Sequence, residues 1–332
     1  MNCFLTGSNG FIGTRLVEEL SAGGHSVRCL VRSPEKFMDL SRLPGVTPVF
    51  GDLDAVKVLE EASAGCDTVF HLAAYAKPWS KDRSLPYRIN HTGTENVLRA
   101  AGNAGVKRFV FTSSAAVIGP SPGVDPIDED FPRVVPFFNE YEETKAAAEE
   151  LVRSYNRDGM ECVIVNPPRV YGPGPVNESN SVTRMISLYA RGRWRIIPGD
   201  GTCIGNYVFV EDVVRGHILA ALKGKPGNRY ILGGENLTFD GFFETLARLT
   251  GRHLRMVRFP VSTMIAIAGI MEWQASITGI APLITAPWVK KYLNHWSLTS
   301  RKAMDDLGYN PVSFEEGAGI TLRWLKQTGK LT

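Results

Sequence analysis

Short apolar runs alternate with stretches of helical spacing along the first half of this chain. Phe4 and Leu5 close a first apolar run, a glycine-rich turn follows, and residues 14–20 take up a helical pattern. Further runs at 26–31, 46–50, 67–70 and 108–112 predict strands, and the spacing over 87–102 and 141–154 predicts helices. Strands alternating with helices in this way imply an α/β fold with a doubly wound parallel sheet, whose ligands sit at the carboxyl ends of the strands. After Gly174 the alternation lapses. A helix is expected over 180–191, a strand over 194–198, a turn at Gly199-Asp200-Gly201 and a short strand over 207–210. Glu211 or Asp212 is expected to cap a helix over 213–222, residues 223–228 form a loop, and a helix over 240–249 has Asp240 near its start. The apolar run 261–271 is too short to span a bilayer. It predicts a core or lid helix, with an interfacial amphipathic helix as the alternative. Residues 260–296 carry the least pattern.

Composition narrows the class without changing the picture. The 332 residues suit one large domain or two intimate ones, and no repeat, low-complexity tract or long linker separates parts of the chain. Thirty-seven Lys and Arg are interspersed with 34 Asp and Glu, a net charge of +3, with no basic block suggesting a nucleic-acid partner. The five cysteines are widely spaced without a C-x-x-C, which predicts buried thiols in a reducing compartment. The six histidines show no ligand spacing, so no metal is expected. Met1 to Leu5 run straight into the glycine turn, leaving no room for a signal peptide, and a cytoplasmic location without a membrane span is expected.

The candidate chemistry falls on the predicted strand ends. Thr6-Gly7-Ser8-Asn9-Gly10-Phe11-Ile12-Gly13 places glycines where a backbone must turn tightly and approach a pyrophosphate, whose charge a following helix N-terminus favours. Arg32, at the end of the second strand, suits a 2′-phosphate better than a ribose hydroxyl, favouring NADP over NAD, with Lys36 as a helper. Asp52, before Leu53, can accept from an adenine amine. Leu72, Ala73 and Ala74 are small enough to let a ribose lie on the main chain, while His71 is expected to be a packed strand-end residue. The fifth strand runs through Thr112 and Ser113 into Ser114, whose hydroxyl can hold a substrate oxygen.

Tyr141 and Lys145 lie one helical turn apart, so both project from one face. Of the tyrosines, only Tyr141 has a lysine four positions on. A tyrosine pKa of about 10 must fall by roughly 3 units, about 4 kcal/mol, for the phenol to trade protons freely near neutrality, and a nearby ammonium is the simplest cause.

Together these residues resemble the extended short-chain dehydrogenase/reductase family, within the NAD-dependent epimerase/dehydratase superfamily. The match covers about residues 1–175 and includes Asn90-His91-Thr92-Gly93-Thr94 and the turn Asn166-Pro167-Pro168-Arg169-Val170. The resemblance implies a Rossmann-type domain over 1–175, with 203–223 returning to it, and a smaller substrate-binding lobe over 176–332. It implies Ser114, Tyr141 and Lys145 as catalytic residues, Pro167 and Val170 beside the nicotinamide, and Asn90 as support for the site. Asn166 departs from the arginine most relatives carry, as flavonol-type reductases often do. Phe111 to Ser114 and Arg32 resemble the dihydroflavonol-4-reductase and 3β-hydroxysteroid dehydrogenase branch, whereas 229–238 resembles bacterial hopanoid-associated sugar epimerases. Ala115 and Ala116 stand where sugar-nucleotide dehydratases carry an acid and a base.

The expected activity is an NADP-dependent carbonyl reductase or alcohol dehydrogenase acting on a hydrophobic or ring-shaped small molecule. A nucleotide-sugar epimerase retaining NAD is the alternative, against which Arg32 and Ile118 weigh, and a dinucleotide-sensing scaffold is a third reading. Family members often dimerise through two helices of the first half, so a homodimer is an expectation of the resemblance.

Overall fold

The computed structural model describes residues 1–77, 79–156, 159–175, 180–279, 282 and 284–331, without the side chains of Lys36 and Trp288. Its strands are β1 (Asn2–Thr6), β2 (Ser26–Val31), β3 (Val46–Phe50), β4 (Thr68–His71), β5 (Arg108–Thr112), β6 (Glu161–Asn166), β7 (Arg169–Tyr171), β8 (Ile196–Pro198), β9 (Ile204–Phe209), β10 (Arg229–Ile231), β11 (Glu235–Thr238) and β12 (Val257–Phe259). Seven of them form one sheet in the order β10-β6-β5-β4-β1-β2-β3. Every pair in it is parallel. The order reverses between β1 and β4, which opens a crevice at the carboxyl edge there.

Both faces of this sheet are covered, which is why its strands are apolar on both sides. Cys3 and Leu5 of β1 pack with Leu16, Val17 and Leu20 of the helix Phe11–Ala22 and with Val213, Val214 and Ala220 of the helix Val210–Lys223. Phe4 points the other way, into a layer holding Leu59, Val97, Leu98, Ala148 and Val152 from the helices Val56–Ser63, Gly93–Asn103 and Glu140–Tyr155. β10 and the helix Val210–Lys223 thus bring sequence from beyond residue 200 back to the large sheet.

A second core is built from aromatics. Tyr171, Tyr207, Phe242 and Phe314 pack together, with ring centroids 4.8 Å apart for Tyr207 and Phe242 and 4.7 Å for Phe242 and Phe314. Around it lie a three-stranded sheet in the order β11-β9-β7 and the parallel pair β12-β8.

Three expectations need correction. The helix predicted over 87–102 is interrupted: residues 88–92 form a π turn before the regular helix Gly93–Asn103. Glu211 and Asp212 do not cap a helix at 213, because the helix starts at Val210 and both acids lie in its first turn. Asp212 instead accepts from the Val312 amide at 3.0 Å, and Glu211 pairs with Arg15 at 2.6 Å. The apolar run at 261 continues to Thr278 as one helix, and only Met264, Ala268 and Ala275 of it are buried, which removes the core half of the core-or-lid expectation and leaves the lid half as it stood. The cysteines are free and buried except Cys203, which is half-buried.

Candidate active site

The glycine-rich loop follows β1. Gly7 sits at φ +78°, and a Cβ there would lie 2.6 Å from the Ala73 amide nitrogen, so the loop rests on the main chain after β4 with no room for a side chain. A Cβ on Gly13 would stand 2.8 Å from the Gly7 carbonyl carbon, so the helix Phe11–Ala22 starts directly against the turn. Its N-cap, Gly10, offers no side-chain cap, and its first turn holds no acid. The first amides are therefore left to an anionic ligand.

The loop forms one wall of a cleft of about 870 Å3 along the carboxyl ends of the central strands. Gly7, Asn9, Gly10, Phe11, Ile12 and Gly13 line it at one end, with Arg32, Asp52 and Leu53 beyond β2 and β3. Leu72, Ala73 and Ala74 after β4, then Thr112, Ser113 and Ser114 after β5, continue the floor to Tyr141, Pro167 and Val170. Of the candidate site residues, Lys145 and the supporting Asn90 do not line this cleft. Leu85, Arg88 and Ile89 line it as well; nothing in the sequence pattern singled them out, because the short helix Ser84–Tyr87 that carries Leu85 and the π turn that carries Arg88 and Ile89 are not visible in helical spacing. Arg32 is exposed and makes no ion pair among the described residues, while the Lys36 side chain lies outside them.

Two observations fit this cleft to a dinucleotide. The cradle at Gly7 would be filled by any Cβ, and the buried Ser113 hydroxyl has no hydrogen-bond partner. An unpaired buried hydroxyl is costly unless a ligand completes it. The residues present therefore fit a dinucleotide.

Tyr141 is presented by the helix Glu140–Tyr155, started by Asn139, whose side chain accepts from the Glu142 amide at 3.0 Å, with Glu140, Glu142 and Glu143 in the first turn. Tyr141, half-buried, lines the cleft together with Ser114, which caps the short helix Ala115–Ile118 by accepting from the Ala116 amide at 3.2 Å. Desolvation pushes the phenol up to about 12, with the Ser114 side chain pulling it down and the Glu142 carboxylate pushing it further up. This corrects the expectation that Lys145 lowers it. The ammonium of Lys145 turns under the sheet edge instead, donating to the Thr112 carbonyl at 2.6 Å and standing 3.9 Å above the Phe111 ring. Burial lowers its pKa to about 7, opposed by Glu149. One-turn spacing put both residues on one face, but the long lysine stem found a carbonyl on β5 before it found the phenol.

Behind the cleft, His71 is fully buried and neutral, its pKa lowered to about 3 by burial and then by Lys145. The Thr94 hydroxyl donates to the Asn90 carbonyl at 2.7 Å, so it must accept from His71 Nε2, 2.9 Å away, leaving Nδ1 to accept from Thr6 at 2.6 Å. Asn90 in turn accepts from the Tyr75 amide at 2.6 Å and donates to Thr144 on the helix Glu140–Tyr155 at 3.0 Å. His71 is thus the packed strand-end residue expected. On the far side of Tyr141, the buried Glu142 carboxylate is held by Arg133 at 2.8 Å and by Lys291 at 3.0 Å. Neither cation carried a sequence signal, since each comes from a loop or helix with no motif around it.

A parallel doubly wound sheet with a glycine-loop cleft at the carboxyl ends of its strands fits the class that the relatives below define, an NAD(P)-dependent oxidoreductase. The model of the NAD dependent epimerase/dehydratase family matches residues 3–233, and the chain belongs to that family. A Synechocystis protein provisionally named dihydroflavonol 4-reductase is 32% identical over 331 residues, covering 98% of this chain and 95% of that one. The 3-beta-hydroxysteroid dehydrogenase of Mycolicibacterium neoaurum is 31% identical over 331 residues, covering 95% of this chain and 88% of the relative. Among solved structures, the UDP-glucose 4-epimerase of Thermotoga maritima, determined with UDP-glucose, superposes with a TM-score of 0.80 at 26% identity, covering 99% of both chains.

Proposed function

We propose that the chain is an NADP-dependent reductase of a carbonyl group, or dehydrogenase of the corresponding alcohol, on a hydrophobic or ring-shaped small molecule. The observation that carries this reading is that Tyr141, half-buried with its phenol pushed up to about 12 and so protonated, lines the same cleft as Ser114 and the glycine loop. A phenol held near 12 is a proton donor at neutral pH, and a carbonyl oxygen gaining charge is what such a donor serves. The bound dinucleotide supplies or takes up the hydride. Tyr141 gives or receives the proton on the substrate oxygen, and Ser114 holds that oxygen in place. Lys145 fixes the end of β5 through the Thr112 carbonyl. Arg32, exposed in the cleft and unpaired, supports NADP over NAD, because a guanidinium satisfies a 2′-phosphate.

We assign residues 1–175, together with 203–223, to dinucleotide binding and 176–332 mainly to the substrate lobe. The two relatives named as a reductase and a dehydrogenase of ring compounds support this reading. Ala115 and Ala116 leave no acid and base for water elimination after Ser114.

A second reading, a nucleotide-sugar epimerase that retains NAD, is favoured by the full-length likeness to the Thermotoga epimerase. The two separate on one preparation. A reductase is purified without stoichiometric NAD, binds NADPH more tightly than NADH, and turns over a member of a panel of steroid, flavonoid and sugar alcohols. Stoichiometric bound NAD with no preference for added NADPH overturns the proposal.

A further inference from the structure

The helix Val261–Thr278 is mostly apolar, yet it is buried on one side only. Met264, Ala268 and Ala275 face inward, the first two packing with Val289. Ala266, Ile270, Trp273 and Ile277 follow the i, i+4, i+7, i+11 spacing of a second stripe on the outer face. Trp273 and Ile277 are 66% and 67% exposed. A helix of this kind is ordinarily enclosed by protein or lipid. The only charged residue in it, Glu272, accepts from the Ala286 amide at 3.2 Å, so the outer stripe carries no charge.

The apolar surface continues into the segment before the helix. Val257 of β12 lies opposite Ile196 of β8, and both are exposed. Five of the twelve large apolar side chains exposed among the described residues are therefore Ile196, Val257, Ile270, Trp273 and Ile277. Cations flank them. Arg252 and Arg255 precede β12, Arg193 and Arg195 precede β8, and all four are exposed without an ion pair among the described residues. The Val257 amide donates to the Arg195 carbonyl at 2.7 Å, which ties the two basic segments together. At the other end of the helix, the Lys81 amino group lies 3.5 Å from where a Cβ on Gly279 would stand.

We propose that this face docks on the surface of an anionic phospholipid bilayer without crossing it. Such a surface offers acyl chains for the isoleucines, a headgroup layer for the tryptophan, and negative charge for the flanking arginines and lysine. A second copy of the chain is a poorer occupant, because a two-fold contact on this patch sets its own cations against one another. Among the described residues no helix is long and apolar enough to cross a membrane.

Flotation of the full chain with lipid vesicles tests the proposal. The wild type is expected to float with vesicles of phosphatidylglycerol and phosphatidylcholine in equal parts, and at least about tenfold less with phosphatidylcholine alone or at high salt. The pair Trp273→Gln and Ile277→Gln, and separately the pair Arg252→Glu and Arg255→Glu, are each expected to lower the bound fraction at least about tenfold. NADPH affinity and the unfolding midpoint should stay at wild-type values in both, which shows that the fold is intact. No flotation of the wild type on anionic vesicles, or equal flotation of the variants, overturns the proposal. So does a concentration-dependent dimer that Trp273→Gln disperses, which would assign the stripe to a second copy.

Discussion

Residues 7–13 and the helix Val261–Thr278 are both rich in small and apolar residues, yet their glycines stand in opposite surroundings. A Cβ on Gly7 meets the Ala73 main chain at 2.6 Å, whereas a Cβ on Gly269 meets nothing within 4 Å. In the loop the residue type is dictated by backbone against backbone, so the pattern is strict and its purpose follows from local geometry. On the helix nothing inside the fold dictates the outer face, and its composition makes sense only through what it touches outside.

Substitutions sharpen this contrast. Gly7→Ala has the largest expected effect: a positive φ and a clash with backbone should remove about 3 to 4 kcal/mol of stability and abolish dinucleotide binding, measured by denaturant unfolding and fluorescence titration. Wild-type NADPH affinity in that variant would break the comparison from the loop side.

Lys145→Met should act in the other direction on stability while lowering turnover. The folded pKa of Lys145, about 7, lies below its ordinary 10.5. Below pH 7 the residue is charged in both states and the penalty of burying it is complete. Between pH 7 and 10.5 the unfolded chain holds the extra proton, so wild-type stability rises with pH, and above 10.5 the penalty is gone. The methionine variant should therefore be more stable by about 2 to 3 kcal/mol at neutral pH and below, with the advantage vanishing toward pH 10.5. Unfolding midpoints across that range check it.

Arg32→Ser should weaken NADPH by about tenfold to thirtyfold, close to 2 kcal/mol, and leave NADH affinity unchanged, as read by titration with each dinucleotide. Gly269→Ala has the smallest expected effect, a gain of about 0.5 to 1 kcal/mol in thermal or denaturant unfolding, because alanine lowers the entropy lost by an exposed helix interior and meets no neighbour. Destabilisation there would show that this face is packed in solution.

The same contrast explains what was legible in the sequence. The strands over 26–31, 46–50 and 108–112 and the cleft lining from Gly7 to Val170 were readable because each depends on neighbours in the chain or on a strand-loop-helix unit. Three things were not. The aim of the Lys145 ammonium depends on a Thr112 carbonyl distant in sequence, the charge cluster around Glu142 draws on Arg133 and Lys291, and the last strand of the large sheet comes from Arg229–Ile231 after a long excursion. Periodicity also marked the helix starting at Val261 as apolar without saying which side is covered, since inner and outer stripes cancel in any moment about its axis.

The central claim is that the Tyr141 phenol moves the proton on the substrate oxygen inside the dinucleotide cleft. It is tested most directly by Tyr141→Phe, with NADPH affinity and turnover of an accepted carbonyl substrate measured on one preparation. The account predicts a dissociation constant within about twofold of wild type and turnover lower by at least about a hundredfold, the usual contribution of a positioned general acid. Turnover within a few-fold of wild type, with the cofactor still bound, would contradict it.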